Sequence, residues 1–350
     1  MKHPALCPGL IGGLELKNRF IKTATYEGMS PAGRVSDALV AHHVEMAQGG
    51  VALTTVAYAA VCPDGRTFED QLLLDDDNRE GLTKLANAVH KAGGKISIQL
   101  GHCGGFSKNR NITGGKPMGP SAAWNAYGLM SGVPRIRAMT VDDILETQEA
   151  YVQAALLVKE CGFDAVEVHC GHGYLLSQFL SPVVNYRNDD WGKDLVGRLR
   201  FPMDVIRGIR SAVGRDFAIL AKMNTSDGVR NGSTVEDAIE IGKALTEAGA
   251  DLLVPSGGLV FRTPFFLMRG DVPLRLMVKA EKNFAQRWAL RIFGPHIMRP
   301  YKYKSNFFFE DSVQIIKKGR VRVALLGGVD SAKAARQAMD AGFEFVVMGR

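Results

Sequence analysis

In the stretch VEVHCGHGYLLSQFLSP, Val166 to Pro182, two histidines and a tyrosine crowd together: His169, His172 and Tyr174. His169 ends a short apolar run with the character of a β-strand, and the other two follow in a glycine-containing turn. Three chemistries are open to such a cluster. Two imidazoles could hold zinc or iron, although acidic or cysteine partners to complete a ligand set are not evident. They could satisfy nearby backbone groups only, a fair reading for one histidine and a weaker one for two flanked by a tyrosine and glycines. They could also act as paired hydrogen-bond donors to a developing oxyanion, with the phenol as a nearby proton source.

The elements that must position these residues recur along the chain. Strand-like runs are RFIKTAT (Arg19–Thr25), VALTTVAY (Val51–Tyr58), KISIQL (Lys95–Leu100), AVEVH (Ala165–His169), FAILAKM (Phe217–Met223), LLVPS (Leu252–Ser256), VRVALLG (Val321–Gly327) and FVVMG (Phe345–Gly349). Between them lie segments of helical period, near 36–48, 78–91, 141–161, 198–213, 233–247, 310–318 and 331–340, several opened by Asp, Ser or Thr and some closed by glycine. Strand and helix alternating to eight strands is the pattern of an α/β protein with a parallel (β/α)8 TIM barrel. A doubly wound sheet has fewer strands and a G-x-G-x-x-G turn after the first, and no such turn occurs here. The 350 residues suit a single barrel domain carrying two insertions, at about 101–140 and 257–306. Both leave the carboxyl ends of strands, where barrel enzymes build their sites, and so are expected to wall or cover the mouth. The second contains LRLMVKAEKNFAQRWALRIF, with Leu276, Met277, Ala280, Phe284 and Trp288 at helical spacing, expected to pack as a helix on the barrel.

Charge separates that insertion from the rest. The chain carries a net +7, but residues 257–306 hold ten Lys and Arg against two acids, leaving the remainder close to −1. A near-neutral body with one basic insertion argues against general nucleic-acid binding and raises the expectation of an anionic partner, such as an acyl-CoA or NADPH. Five cysteines form no C-x-x-C pair, so neither a zinc knuckle nor an iron–sulfur cluster is indicated. Scattered thiols, a poor signal peptide and the lack of a membrane-spanning apolar run give the expectation of a cytoplasmic protein.

At several of these strand ends the sequence resembles the Old Yellow Enzyme group of FMN-dependent ene-reductases, including the flavin barrel of bacterial 2,4-dienoyl-CoA reductases. NRFIKTATYEGM is similar to the family's first strand, ISIQLGHCG to its third, and HCGHGYLLSQFLSPVVNYR to its signature after the fourth; LLGGV and VVMGR resemble its phosphate-binding ends of strands seven and eight. The resemblance implies FMN as cofactor and NADPH or NADH as reductant. It implies that Gln99 pairs with the flavin's pyrimidine edge, that Lys222 stabilises the anionic reduced ring, and that Thr23, Ala24 and Ala57 line the flavin. It further implies that Gly327, Gly328, Gly349 and Arg350 cradle the phosphate. His169 and His172 would hold the carbonyl oxygen of an activated alkene while Tyr174 protonates its α-carbon, giving an ene-reductase acting on a small molecule with a conjugated carbonyl. The alternatives are a degenerate flavin-binding protein without turnover and, at the two histidines, a metal-dependent barrel hydrolase.

The pattern departs from the family in three places. Tyr26 stands where members place a small Cys or Thr, which would alter both flavin electronics and pocket volume. WGKDLVGRLRF lacks the usual GG…ENR, although Arg198 and Arg200 keep part of it. The sequence ends at Arg350, directly after the eighth strand, without the helix expected next. The expectation is a fragment, or a barrel whose last groove is covered by another chain, as in a homo-oligomer.

Overall fold

A computed structural model describes residues 3–281 and 284–349. Its centre is a sheet of eight parallel strands: β1 (Phe20–Lys22), β2 (Leu53–Ala60), β3 (Lys95–Gly101), β4 (Ala165–Cys170), β5 (Ala218–Asn224), β6 (Leu252–Ser256), β7 (Ala324–Leu326) and β8 (Phe345–Met348). The hydrogen-bonded order is β6-β5-β4-β3-β2-β1-β8-β7, and the ring returns through a parallel bridge between Leu253 and Val323, where the Leu253 N–H donates to Arg322 O at 3.0 Å. The result is an eight-stranded α/β barrel. One helix crosses back between each pair of successive strands: α1 (Asp37–Gln48), α2 (Arg79–Lys91), α3 (Val141–Glu160), α4 (Leu195–Val213), α5 (Val235–Ala248), α6 (Phe309–Gly319) and α7 (Ala332–Asp340). Their starts follow capping chemistry. Ser36, Asp194 and Ser331 accept backbone N–H groups, and Thr140 with Asp143 and Thr234 with Asp237 form reciprocal capping boxes.

Strands β2 to β6 are buried on nearly every residue, as expected of parallel strands covered on both faces. Alternation then sorts the side chains. Val166 and Val168 join the outer core under the helices, while Ala165 points into the barrel with Ile21, Leu53, Ala218, Leu220, Leu252, Val254, Phe345 and Val347. An amino-terminal hairpin, Gly9–Ile11 paired with Leu14–Leu16, adds Ile11 and Leu16 to this inner cluster. The hairpin's Gly12 lies so close to Asp251, just before β6, that a Cβ would come within 2.9 Å of the carboxylate, so this turn closes the end where the strands begin. Toward the strands' carboxyl ends the inward set becomes polar: Thr23, Gln99, Glu167, His169, Lys222, Asn224 and Ser256 are all buried.

Three expectations are corrected. The first and seventh strands are each only three residues long, against the seven of RFIKTAT and of VRVALLG. The amphipathic stretch of the second insertion forms two helices, Leu274–Ala280 and Phe284–Ile297, not one. Nor does its apolar face pack on the barrel: Leu276, Phe284 and Trp288 are exposed, because the inner contacts are made instead by Leu274 against Gly294 and by Gln286 against the first insertion.

Candidate active site

β4 delivers the central groups. With period two, Glu167 and His169 share its inner face, and the parallel register sets His169 beside Lys222 of β5. Lys222 Nζ donates to Glu167 Oε1 at 2.9 Å and to Thr23 Oγ1 at 2.7 Å, and Gln99 Nε2 donates to the same carboxylate oxygen at 2.6 Å. All four residues are buried. A buried ammonium needs a partner, and Glu167 supplies it while fixing the orientation of the Gln99 amide. The sequence reading passed over Glu167; its signal was a lone carboxylate inside the apolar run AVEVH, on the same face as His169.

Beyond β4 the chain turns sharply. His172 has φ +62° and Gly173 φ +81°, and a side chain on Gly173 would collide with the Phe261 ring at 2.6 Å. A left-handed histidine is strained, and here the strain is held by a bond from the His172 N–H to Asn224 Oδ1 at 2.9 Å. The turn sets the His169 and His172 rings edge to face with centroids 5.0 Å apart, and brings the Tyr174 ring 4.6 Å from His169. His172 Nε2 is hydrogen-bonded to Ser256 Oγ at 2.7 Å. His169 Nδ1 is buried without any partner in the protein.

Burial governs the protonation of this cluster. Desolvation, then the charges of neighbouring His172 and Lys222, holds the His169 imidazolium well below the ordinary histidine range. Burial and Lys222 bring His172 to about 3. Tyr174 moves the other way, its phenol pushed up by burial and by Cys103 and Tyr26. At neutral pH the site therefore presents two neutral imidazoles and an intact phenol.

A second buried network flanks it. Lys22 Nζ reaches Glu27 Oε1 at 2.6 Å and Thr55 O at 3.1 Å, and both Glu27 oxygens accept the Ala57 N–H at 3.2 Å. Ala57 thus spends its N–H within the protein. Glu27, His42 and His43 approach closely enough to surround a cation. The Lys22 ammonium already neutralises that carboxylate, however, and would repel a metal beside it. Tyr26 stands at the rim, mostly exposed, with its ring 5.7 Å from that of Phe68; Ala24, two residues earlier in the chain, is half-buried.

Gly327 and Gly328 follow β7 at φ +107° and +75°, and Gly349 follows β8. A Cβ on Gly349 would come 3.3 Å from Thr23 Cγ2. The structure thus brings Thr23, Gln99, Lys222 and Gly349 to one neighbourhood of the inner face and His169, His172 and Tyr174 to the adjoining one. Gly327 and Gly328 lie at the next strand end, against Phe307. Arg350 lies outside the described residues.

A model of the NADH:flavin oxidoreductase / NADH oxidase family matches residues 7–260. The chain belongs to that family. The 4,4'-dithiodibutanoate disulfide reductase of Rhodococcus erythropolis is 37% identical over 346 residues, covering 98% of this chain and 84% of the relative. The NADH oxidase of Thermoanaerobacter brockii is 31% identical over 332 residues, 94% of this chain but 50% of the relative. Among solved structures, a 2-naphthoyl-CoA reductase in complex with 2-naphthoyl-CoA superposes with a TM-score of 0.83 at 24% identity, over 100% of this chain and 50% of that one. The chain thus spans half the length of these last two. The resemblance to the Old Yellow Enzyme group stands, and this flavin oxidoreductase uses FMN with a nicotinamide as reductant.

The residues present fit FMN. A pyrimidine edge needs an amide and a cation, which Gln99 and Lys222 offer side by side on Glu167. A phosphate needs close backbone approach, which the glycines at the ends of β7 and β8 permit. The unpartnered His169 Nδ1 is a buried polar atom left for a group the protein does not supply.

Proposed function

We propose that this flavin oxidoreductase reduces a carbon–carbon double bond conjugated to a carbonyl. Gln99, Lys222 and Thr23 hold the flavin's pyrimidine edge, Ala24 and Ala57 border the ring, and Gly327, Gly328, Gly349 and Arg350 seat the phosphate. Bound FMN, reduced by the nicotinamide, supplies the hydride for the β-carbon. His169 and His172 donate to the substrate's carbonyl oxygen, and Tyr174 gives its proton to the α-carbon. Ser256 fixes the His172 tautomer: when its hydroxyl donates to Nε2, the ring proton resides on Nδ1, free to face the substrate. Tyr26 narrows the entrance.

One observation carries this reading. The rings of His169, His172 and Tyr174 gather in a single, largely buried cluster, a set of hydrogen-bond donors suited to an enolate. Each oxyanion donor is worth about 3 kcal/mol, or about a hundredfold in rate.

The disulfide reductase relative favours a second acceptor. Hydride to one sulfur and a proton to the departing thiolate would convert a disulfide into two thiols at the same site. Cys103 and Cys170 are poorly placed to relay it, since both are buried with their thiols pushed up by desolvation.

Anaerobic stopped-flow measurement separates the two. NADPH should bleach the flavin and cyclohexenone should restore it, with Tyr174→Phe slowing that restoration about a hundredfold while leaving the bleaching phase unchanged. Reoxidation by 4,4'-dithiodibutanoate alone would replace the enone with a disulfide. Enone reoxidation at the unaltered rate in Tyr174→Phe would remove the tyrosine from its role.

A further inference from the structure

The second insertion leaves a surface that the chemistry above does not use. Helix Phe284–Ile297 exposes Phe284, Trp288 and Ile292 at successive four-residue steps, so they form one apolar stripe, joined by the neighbouring Phe293; Leu276 of the preceding helix is also exposed. Phe284 is 73% exposed and Leu276 67%, and it is their grouping with Trp288, Ile292 and Phe293 that makes a patch. Arg287 and Arg291 run beside the stripe at the same spacing, and with Leu274, Arg275, Val278 and Lys279 they line a cleft of about 470 Å³. Arg287 spends its guanidinium on the Glu281 carbonyl. Arg275, Lys279 and Arg291 meet no carboxylate among the described residues, although Arg291 lies 5.5 Å over the Trp288 ring. The cleft thus has four cations, two aliphatic side chains and no acid.

The helix sits at the mouth of the barrel. Gln286 bonds to Lys108 and Ser131 of the first insertion at 3.3 and 3.2 Å, Lys108 lies 4.4 Å over the Tyr127 ring, Tyr127 stacks on Phe106, and Phe106 meets Tyr174 edge-on. The same rim exposes Leu129 and Met130 next to Ser131.

We infer that this rim docks on an anionic lipid surface, with Phe284, Trp288 and Ile292 entering the headgroup region and Arg275, Lys279 and Arg291 facing lipid phosphates. Two alternatives explain only part of the surface. A nucleotide or acyl-CoA phosphate would use the cations but gives no reason for a bulky apolar stripe pointing to solvent. A second copy of the chain would cover the stripe but set two strongly basic insertions against each other. A bilayer of acidic lipids satisfies both sets of groups at once: helices of this make-up lie in the interface plane, held by apolar burial and by attraction to acidic headgroups.

The test uses the full chain with FMN bound, sedimented with vesicles of phosphatidylcholine alone or containing about one third phosphatidylglycerol, an anionic fraction that creates a substantial surface potential. Binding is expected to the anionic vesicles only, with Trp288 fluorescence shifting to the blue. Arg275→Glu with Lys279→Glu should weaken it at least about 30-fold, since each cation near the surface is worth roughly fivefold. Trp288→Ser with Ile292→Ser should weaken it at least about tenfold through lost apolar burial. Retained flavin absorbance in each variant certifies the fold. Four results would overturn the inference: no binding to anionic vesicles, equal binding to neutral ones, binding untouched by both double variants, or release of the protein by NADPH at concentrations that leave ionic strength unchanged. Light scattering that shows a dimer lost in Trp288→Ser, without vesicle binding, would assign the stripe to self-association instead.

Discussion

The inner ends of β4 and β5 and the helix pair at the rim both gather charge beside apolar groups, yet they do so in opposite ways. At the strand ends Glu167 and Lys222 are each nearly inaccessible and satisfy one another, with Gln99 and Thr23 taking further bonds. At the rim, Arg275 and Lys279 remain in water without a counter-charge among the described residues, and the apolar stripe beside them stays uncovered. A parallel strand has both faces filled by the fold, so a charge placed on it must be answered from a neighbouring strand. A helix in an insertion has only the cover its own contacts provide. Perturbing the first region should therefore be costly to the fold, whereas perturbing the second should be nearly free.

Acid gives the largest expected break in that contrast. His43 and His172 are brought by burial to about 2 and about 3, His102 to about 4, and His169 also lies well below its usual range. The unfolded chain takes up protons on these residues near pH 6.5 and the fold does not, so unfolded molecules bind more protons and stability declines as pH falls below that point. Each histidine costs about 1.4 kcal/mol per pH unit until its folded pKa is reached. Thermal melts at pH 7.5 and 5.5 should differ by many degrees, and coincident curves would mean that these imidazoles charge inside the fold. Above pH 6.5 the same groups add no pH dependence, so the enone half-reaction should run at a constant rate toward neutrality.

Next in size is Glu167→Gln, which strands the Lys222 ammonium in the barrel. Breaking one side of a buried pair costs about 3–5 kcal/mol. The expected outcome is a matching loss in unfolding free energy with weakened FMN retention, measured by denaturant melts and flavin release. Wild-type stability together with full flavin content would show that water or another group answers the lysine. Ser256→Ala is milder. It removes one hydrogen bond, worth about 1 kcal/mol, and releases the His172 tautomer. Enone reduction should slow about tenfold through kcat while reduction by NADPH is unchanged, and an equal effect on both halves would make Ser256 merely structural.

The two regions were also unequally legible in the sequence. The barrel could be read because eight short apolar runs separated by capped helices leave few topologies, and seven helices appear near their expected places. The cluster of His169, His172 and Tyr174 was visible because three polar rings gather where an apolar strand opens into a glycine-containing turn. Lys222 was visible for the same reason, as a lysine at the end of FAILA. What escaped was partnership. The sequence brings Lys222 no nearer to Glu167, 55 positions away, than to any other acid, and only the lateral register of β4 and β5 joins them. The Lys22 and Glu27 pair was hidden likewise, because its anchor is the Ala57 N–H on another strand. At the rim the periodicity of residues 274–293 was real, but period alone cannot say whether an apolar face meets protein or solvent. The break near Glu281 and the contacts through Gln286 decided that.

The smallest expected effect gives the sharpest contrast. Trp288 is half exposed, and the groups around it are the exposed Phe284 and the side chain of Arg291. Replacing a core aromatic costs about 3–5 kcal/mol because it empties a packed site, whereas a surface substitution away from such packing stays within about 0.5 kcal/mol. Trp288→Ser should therefore leave the denaturant midpoint where it was, and the slope with it, since little apolar surface changes its exposure on unfolding. Phe179→Ser, on a fully buried ring packed against Phe201, is the matching control and should unfold the chain or nearly so. If Trp288→Ser lowered the midpoint as a core residue would, the stripe would be packed against the protein in solution, and the distinction between a satisfied interior and an uncovered rim would fail at the point where it is easiest to measure.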